Sequence, residues 1–249
     1  MRASTGLGLA ICCSAVTFSY ATLAHADPLG AGGSLMLSAD RLSGLSFSKM
    51  RTEDGGSNDV TTQSRTDVAF LWRPTVIVSP YTIPQLGLDV GVAGGFTVGG
   101  AFGIFSQSGS NENEPAGGAA STSRDSPSIT AFLLAPRVGY GISILPWLAF
   151  WGRLGVTYYN LHSSSTSTGN NPTTTTSTTS GLGLNVDPMF VFVPVSHFGI
   201  TAGPYLDVPL SGSNSSETTG GGGASVSPPD DTVKFTSFGL KAGLLGAFL

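Results

Sequence analysis

The chain of 249 residues has only two cysteines, Cys12 and Cys13, and both fall within its first 26 residues. Beyond that point there is no material for a disulfide, a thiolate zinc site or a cysteine nucleophile. Charge is scarce as well. Asp, Glu, Lys and Arg make up 10% of the chain, under half the ~25% of an ordinary soluble domain. A basic surplus is also missing. After residue 26, 10 Lys and Arg stand against 15 Asp and Glu, a balance that disfavours nucleic acid as a partner. Past the N-terminus no 18-residue stretch is free of Gly, Pro and charge, which argues against a polytopic bundle of membrane helices. The 35 Gly and 15 Pro are scattered along the chain and would cost a helical bundle heavily. Mean hydropathy is nevertheless positive, at +0.20. Low charge, abundant Gly and moderate hydropathy without long apolar runs fit a transmembrane β-barrel.

The first 26 residues read as a secretory signal peptide. Arg2 gives a short positive start, Leu7 to Leu23 is uncharged and apolar, and Ala24-His25-Ala26 is an A-x-A cleavage site before Asp27-Pro28. Ile11 precedes Cys12, where a lipoprotein signal needs a small residue. The expected division is signal peptide 1–26, periplasmic N-terminal segment 27–40 and barrel 41–249.

What remains alternates between apolar-periodic and polar segments. The polar ones are 51–65, 108–127, 163–180 and 212–232, and the third has 14 Ser or Thr in 18 residues. They have almost nothing to bury and are expected to be mobile loops. Between them the pattern predicts eight strands: 41–50, 66–79, 95–106, 128–143, 147–161, 181–194, 197–211 and 233–249. The 80–94 connection, with Pro80 and Pro84, is open to a short helix or to a continued strand, because Leu86, Leu88, Val90 and Val92 still alternate. Long and short connections alternate too, as they do between the outer and periplasmic ends of outer-membrane barrels.

Period-two alternation sets an apolar face against a small or polar one. In 147–161, Leu148, Phe150, Leu154, Val156 and Tyr158 oppose Ala149, Arg153, Gly155 and Thr157. In 181–194, Leu182, Leu184, Val186, Phe190 and Phe192 oppose Gly183, Asn185 and Asp187. A soluble sandwich would show the same period. The polar face distinguishes the two: it is rich in Gly and carries one or two charges per strand, which suits the narrow interior of an eight-stranded barrel. The expected interior charges are Asp67, Arg73, Arg137, Arg153, Asp187, Asp207 and Lys241. Charges removed from water persist only when paired, so they are expected to form a structural belt across the lumen.

Trp147 and Trp151 at one level, and Tyr158 and Tyr159 at the other, are candidates for interfacial girdles. Ordinary core packing is the alternative for them. Pro74, Pro136, Pro188 and Pro204 fall inside strands, where each removes a ladder donor and marks either a bulge or a shorter strand. The last strand ends at Phe248, next to the terminal Leu249. His197 sits in a short turn. His162 opens a Ser tract, and His162-x-Ser164 on a barrel's outer wall is similar to the His-activated Ser of lipid A deacylases, although a Ser-rich tract supplies that match by chance. No P-loop, G-x-S-x-G or H-E-x-x-H is present. No loop has the oxygen-ligand spacing of a calcium site, and no metal or other cofactor is expected. The loops hold three Arg against nine Asp or Glu, an acidic fringe.

Arg41-Leu-Ser-Gly-Leu-Ser-Phe-Ser, Ala135-Pro-Arg-Val-Gly-Tyr, Trp151-Gly-Arg-Leu-Gly-Val-Thr-Tyr-Tyr, Ala202-Gly-Pro-Tyr-Leu-Asp and Phe238-Gly-Leu-Lys-Ala-Gly-Leu together resemble a group of uncharacterised outer-membrane β-barrel proteins of Gram-negative bacteria. In architecture only, the chain also resembles small OmpA-type and OmpW-type barrels. The resemblance implies an all-β, eight-stranded antiparallel transmembrane barrel with long polar surface loops in the cell outer membrane, and no chemistry. It implies outer-membrane lipid and lipopolysaccharide around the wall, and an aromatic assembly signal at Phe248 for the outer-membrane assembly machinery. An unknown surface ligand of the loops stays open. Three roles fit: a non-enzymatic structural or surface-interaction barrel, a small transport barrel passing hydrophobic solutes through a lateral gap hinted at by the prolines, and a lipid A-modifying hydrolase using His162 and Ser164.

Overall fold

The computed structural model describes residues 29–57, 59–71, 79–113, 122–167, 172–220 and 225–248. The expected signal peptide, Arg73 and Pro74 lie outside these residues. The chain forms strands β1 (Leu35–Glu53), β2 (Val60–Ala69), β3 (Gln85–Ala93), β4 (Phe96–Asn113), β5 (Thr122–Leu145), β6 (Leu148–Ser167), β7 (Thr173–Val195), β8 (Phe198–Gly220), β9 (Ser225–Val226) and β10 (Asp231–Phe248). A single turn of 3-10 helix, Pro80–Thr82, precedes β3.

Eight of the strands close a ring in the order β1-β3-β4-β5-β6-β7-β8-β10, with β10 returning to β1. Every pairing in it is antiparallel. β2 pairs with the upper part of β1 (Gly44–Glu53), and β3 with the lower part (Leu35–Asp40). The second strand is thus broken in two, with the 3-10 turn between the pieces. Helix and continued strand both occur in the 80–94 connection. The lower part of the ring closes on itself, as a sheet in lipid requires; above it, β2 and the outer part of β4 pair on one edge only among the described residues.

Outward and inward residues separate as the period demands. Phe132, Leu134 and Val138 of β5 are exposed while Ala131, Leu133 and Ala135 are buried. The exposed apolar side chains continue around the ring through Leu154, Leu182, Phe190, Ile200, Leu206, Phe238 and Leu244. Such a surface is unstable in water and stable in lipid. The chain is an antiparallel β-barrel with a lipid-facing wall, and the short turns Gly94-Gly95, Pro146-Trp147 and Ser196-His197 mark the end at which the described residues begin and end.

Four readings of the sequence need correction. First, the polar segments are not loops for most of their length. β6 runs to Ser167, β7 starts at Thr173 and β8 continues to Gly220. Thr suits an extended, half-exposed backbone despite its polarity. Second, β1 starts at Leu35, so the boundary at residue 41 cuts through a strand. Third, Trp151 and Tyr159 are interior side chains with no exposed surface. Only Trp147 and Tyr158, at 43% and 40% exposure, face outward. Fourth, the prolines do not shift the ladder. The β5–β6 register is the same on both sides of Pro136, and the β7–β8 register on both sides of Pro188 and Pro204. Their missing N–H groups drop individual pairs without bending the wall out of register.

Candidate functional site

The lumen is layered. Its lower end is filled by Met36, Ala149, Trp151, Val191 and Leu245. Its upper end is filled by Tyr81, Tyr159, Val233 and Phe235, with edge-on ring contacts of 5.6 Å (Tyr81–Tyr159) and 5.7 Å (Tyr159–Phe235). The 3-10 turn brings Tyr81 into this layer, and glycine at 183 makes the space: a methyl group there would overlap the Tyr81 hydroxyl.

Between the two apolar layers lies a continuous chain of charges. Asp89 pairs with Arg137 at 2.5 Å, and Arg137 with Asp40 at 2.7 Å. Asp40 also receives Arg153 at 3.0 Å, and Arg153 reaches Asp187 at 3.4 Å. Asp187 pairs with Lys241 at 2.6 Å. Asn185 donates to both Asp187 (3.1 Å) and Asp207 (2.7 Å), and Asp207 pairs with Arg41 at 2.9 Å. Four cations meet four carboxylates, all almost wholly buried. Every ring strand except β4 supplies a member. The cations also lie over aromatic faces: Arg153 is 4.8 Å from the Trp151 ring centroid and Arg41 4.7 Å from that of Tyr205, a favourable arrangement for a guanidinium out of water.

Of the interior charges expected from sequence, Arg137, Arg153, Asp187, Asp207 and Lys241 meet in this chain. Asp67 does not. It sits on β2 and pairs with Arg65 at 2.6 Å, both side chains about one third exposed (32% and 34%). Asp40, Arg41 and Asp89 were missed. The signal for Asp89 was present, since it has the parity opposite to Leu88 and Val90. Asp40 lay just outside a strand boundary drawn too late, and Arg41 was the first residue inside it. Phe248 pairs with Leu35 at the closing seam.

The outer ends of β6, β7 and β8 form a second region. Hydroxyls pair across the strands at Thr166–Thr174 (3.2 Å) and Thr175–Thr218 (3.1 Å). Ser177 and Thr179 both donate to the Asn214 side-chain oxygen, at 2.7 and 2.8 Å. Glu217 is the one charge in this sheet among the described residues. His162 is exposed, with Nδ1 3.2 Å from the Thr178 hydroxyl. Among the described residues no hydrogen bond joins His162 to Ser164, and no carboxylate pairs with His162. His197 is exposed in the turn after β7, with a left-handed backbone (φ 71°). No group of three or more metal-binding side chains occurs among the described residues.

No family model matches the chain. The search of curated proteins finds no relative. Several solved structures are similar to it. The attachment invasion locus protein Ail of Yersinia pestis is 13% identical, with 86% of this chain and 99% of that one covered at a TM-score of 0.35. A major outer membrane protein of Thermus thermophilus is 13% identical over 83% of this chain and 99% of that one, at 0.49. The toluene transporter TodX of Pseudomonas putida is 13% identical over 88% and 67%, at 0.33.

Proposed function

We propose that this protein is a non-enzymatic outer-membrane barrel whose role is structural and surface-directed, acting through the hydroxyl-rich sheet at the outer ends of β6 to β8. The observation that carries this reading is the length of those strands. They run 20 to 23 residues, about twice the 9–11 that cross a bilayer. The surplus is a paired, almost uncharged sheet standing outside the lipid. Ordered hydroxyls and amides at fixed spacing suit a polar, uncharged partner such as saccharide. The filled lumen supports a structural barrel rather than a conduit, because two apolar layers and a neutral set of ion pairs occupy its cross-section. The buried charge chain acts as the internal scaffold. Phe248, at the closing seam, serves as the signal for the assembly machinery.

The test is to replace residues 164–176 with Asn-Gly. Ser163 and Ser177 face each other across the ladder, so a two-residue turn closes the shortened hairpin. Cells carrying this variant are expected to keep the SDS-resistant folded band and lose retention on a glycan array. Retention equal to that of cells with the full-length barrel would contradict the proposal. Altered lipid A that depends on His162 would replace it with the hydrolase reading.

A further inference from the structure

The barrel wall is breached where β1 bulges. The β1–β10 register shifts between Ala39 and Ser43. On the other edge, β3 pairs only up to Asp40 and β2 only from Gly44. Arg41 lies in that gap with a left-handed backbone, φ 61°. Such a conformation in a non-glycine residue costs energy and persists only where surrounding structure holds it. A cavity of about 50 Å³ opens at this place, bordered by Arg41, Gly44, Ser46, Tyr81, Leu240 and Lys241.

Three of these side chains carry buried polar atoms with no hydrogen-bond partner: Nε and Nη1 of Arg41, Oγ of Ser46 and the hydroxyl of Tyr81. They come from β1 and from the 3-10 turn. Buried polar groups are nearly always satisfied, so several orphans around one space point to something that fills it. Guanidinium nitrogens only donate, and the two hydroxyls are able to donate. A group that satisfies all of them is therefore an acceptor. The charged groups facing the space are Arg41, Lys241 and Asp67. Asp67 is the most exposed of the three and is held by Arg65. Arg41 and Lys241 are each nine-tenths or more buried. Lys241 is taken by Asp187 and Arg41 uses only Nη2 on Asp207, so the Nε and Nη1 of Arg41 are the cationic donors left facing the space. At its rim, Leu240 is 57% exposed on the lipid face, so the space reaches from the charged interior toward hydrocarbon. At roughly 10–15 Å³ per water-sized occupant, it has room for three to five such groups, enough for a carboxylate.

We propose that this wall cavity binds a carboxylate monoanion, held by Arg41, Ser46 and Tyr81. The carboxylate is either the head of a single-chain amphiphile lying in the membrane or a small free acid. The site is independent of the surface sheet and of its proposed role.

The experiment uses the folded full-length barrel in maltoside micelles and laurate labelled with carbon-13 at the carboxylate. A saturable, shifted carboxylate resonance is expected, displaced by unlabelled laurate and not by dodecanol. Displacement by acetate at equal concentration would assign the site to free acids; its failure would assign it to the membrane amphiphile. Tyr81→Phe removes one orphan hydroxyl without touching an ion pair and should weaken binding about tenfold, the worth of one hydrogen bond to a charged group. Ser46→Ala serves as the second variant should Tyr81→Phe fail to give the folded band. Absence of a saturable resonance, equal displacement by dodecanol, or unchanged affinity in the folded variants would overturn the proposal.

Discussion

Between β6 and β7, residues pair without a shift from Leu148–Phe192 up to Ser167–Thr173. Around β1 the ladder shifts on one edge and changes partner on the other, leaving Arg41 and Leu42 out of both. The two parts of the wall share composition, period and lipid-facing side chains. They differ in what the interior asks of the backbone. Along β6 and β7, inward Arg153, Asn185 and Asp187 reach their partners from regular strand positions. On β1, two consecutive residues, Asp40 and Arg41, both point inward to the charge chain. A regular strand cannot do this, since neighbours alternate faces. The bulge and the left-handed Arg41 are the means by which it happens.

The sharpest challenge to this comparison is Asp40→Ala. It removes the β1 carboxylate shared by Arg137 and Arg153, leaves them Asp89 and Asp187 alone, and puts the buried chain one positive charge in excess. An uncompensated buried charge costs about 3–5 kcal/mol, so a large drop in the urea midpoint of the SDS-resistant form is expected. A midpoint like that of the parent would mean that the charge chain does not hold the barrel. Gly183→Val tests the regular wall by volume alone. The added atoms meet the Tyr81 ring, and overpacking of this kind costs about 1–3 kcal/mol, read by the same denaturation. Asp67→Asn separates the broken wall from the buried chain. The Arg65–Asp67 pair is partly in solvent, and such pairs are worth about 0–1 kcal/mol; a loss as large as that of Asp40→Ala would place Asp67 in the belt after all.

The smallest effect is expected at Asp54, in the β1–β2 hairpin. Amides of Gly56 and Ser57 donate to its carboxylate at 2.6 and 2.9 Å and hold its carboxyl below the usual carboxylate range. Its contribution to turn order is therefore complete above about pH 4 and declines as the pH falls further. Proteolysis at the turn should quicken on acidification through that range in the parent and remain flat in Asp54→Ala.

The regular wall was the legible part. Alternation in 147–161 and 181–194 identified the outward face, and Gly with isolated charges identified the inward one. Arg137, Arg153, Asp187, Asp207 and Lys241 follow directly from parity. Asp67 has inward parity too, but it lies on the displaced upper half of a broken strand, where facing inward does not mean burial. Asp40 and Arg41 were hidden because a bulge obeys no period. Trp151 and Tyr159 were misplaced because aromatic residues near a membrane interface also serve as lumen filler, and only their parity tells the two roles apart. The Ser/Thr segments were misread for a different reason. They bury no core, yet long antiparallel pairing begun in the membrane carries them onward as sheet.

Hydrogen exchange on the folded barrel, resolved by peptide, tests the central claim that the outer Ser/Thr tract is ordered sheet and not loop. Amides of Thr173 to Ser180 should be protected to a degree approaching that of Gly181 to Val186 below them, while Val60 to Ala69 of β2, paired on one edge only among the described residues, exchange faster. Complete exchange of Thr173 to Ser180 at the rate of an unstructured peptide would contradict the account and remove the surface on which the proposed function rests.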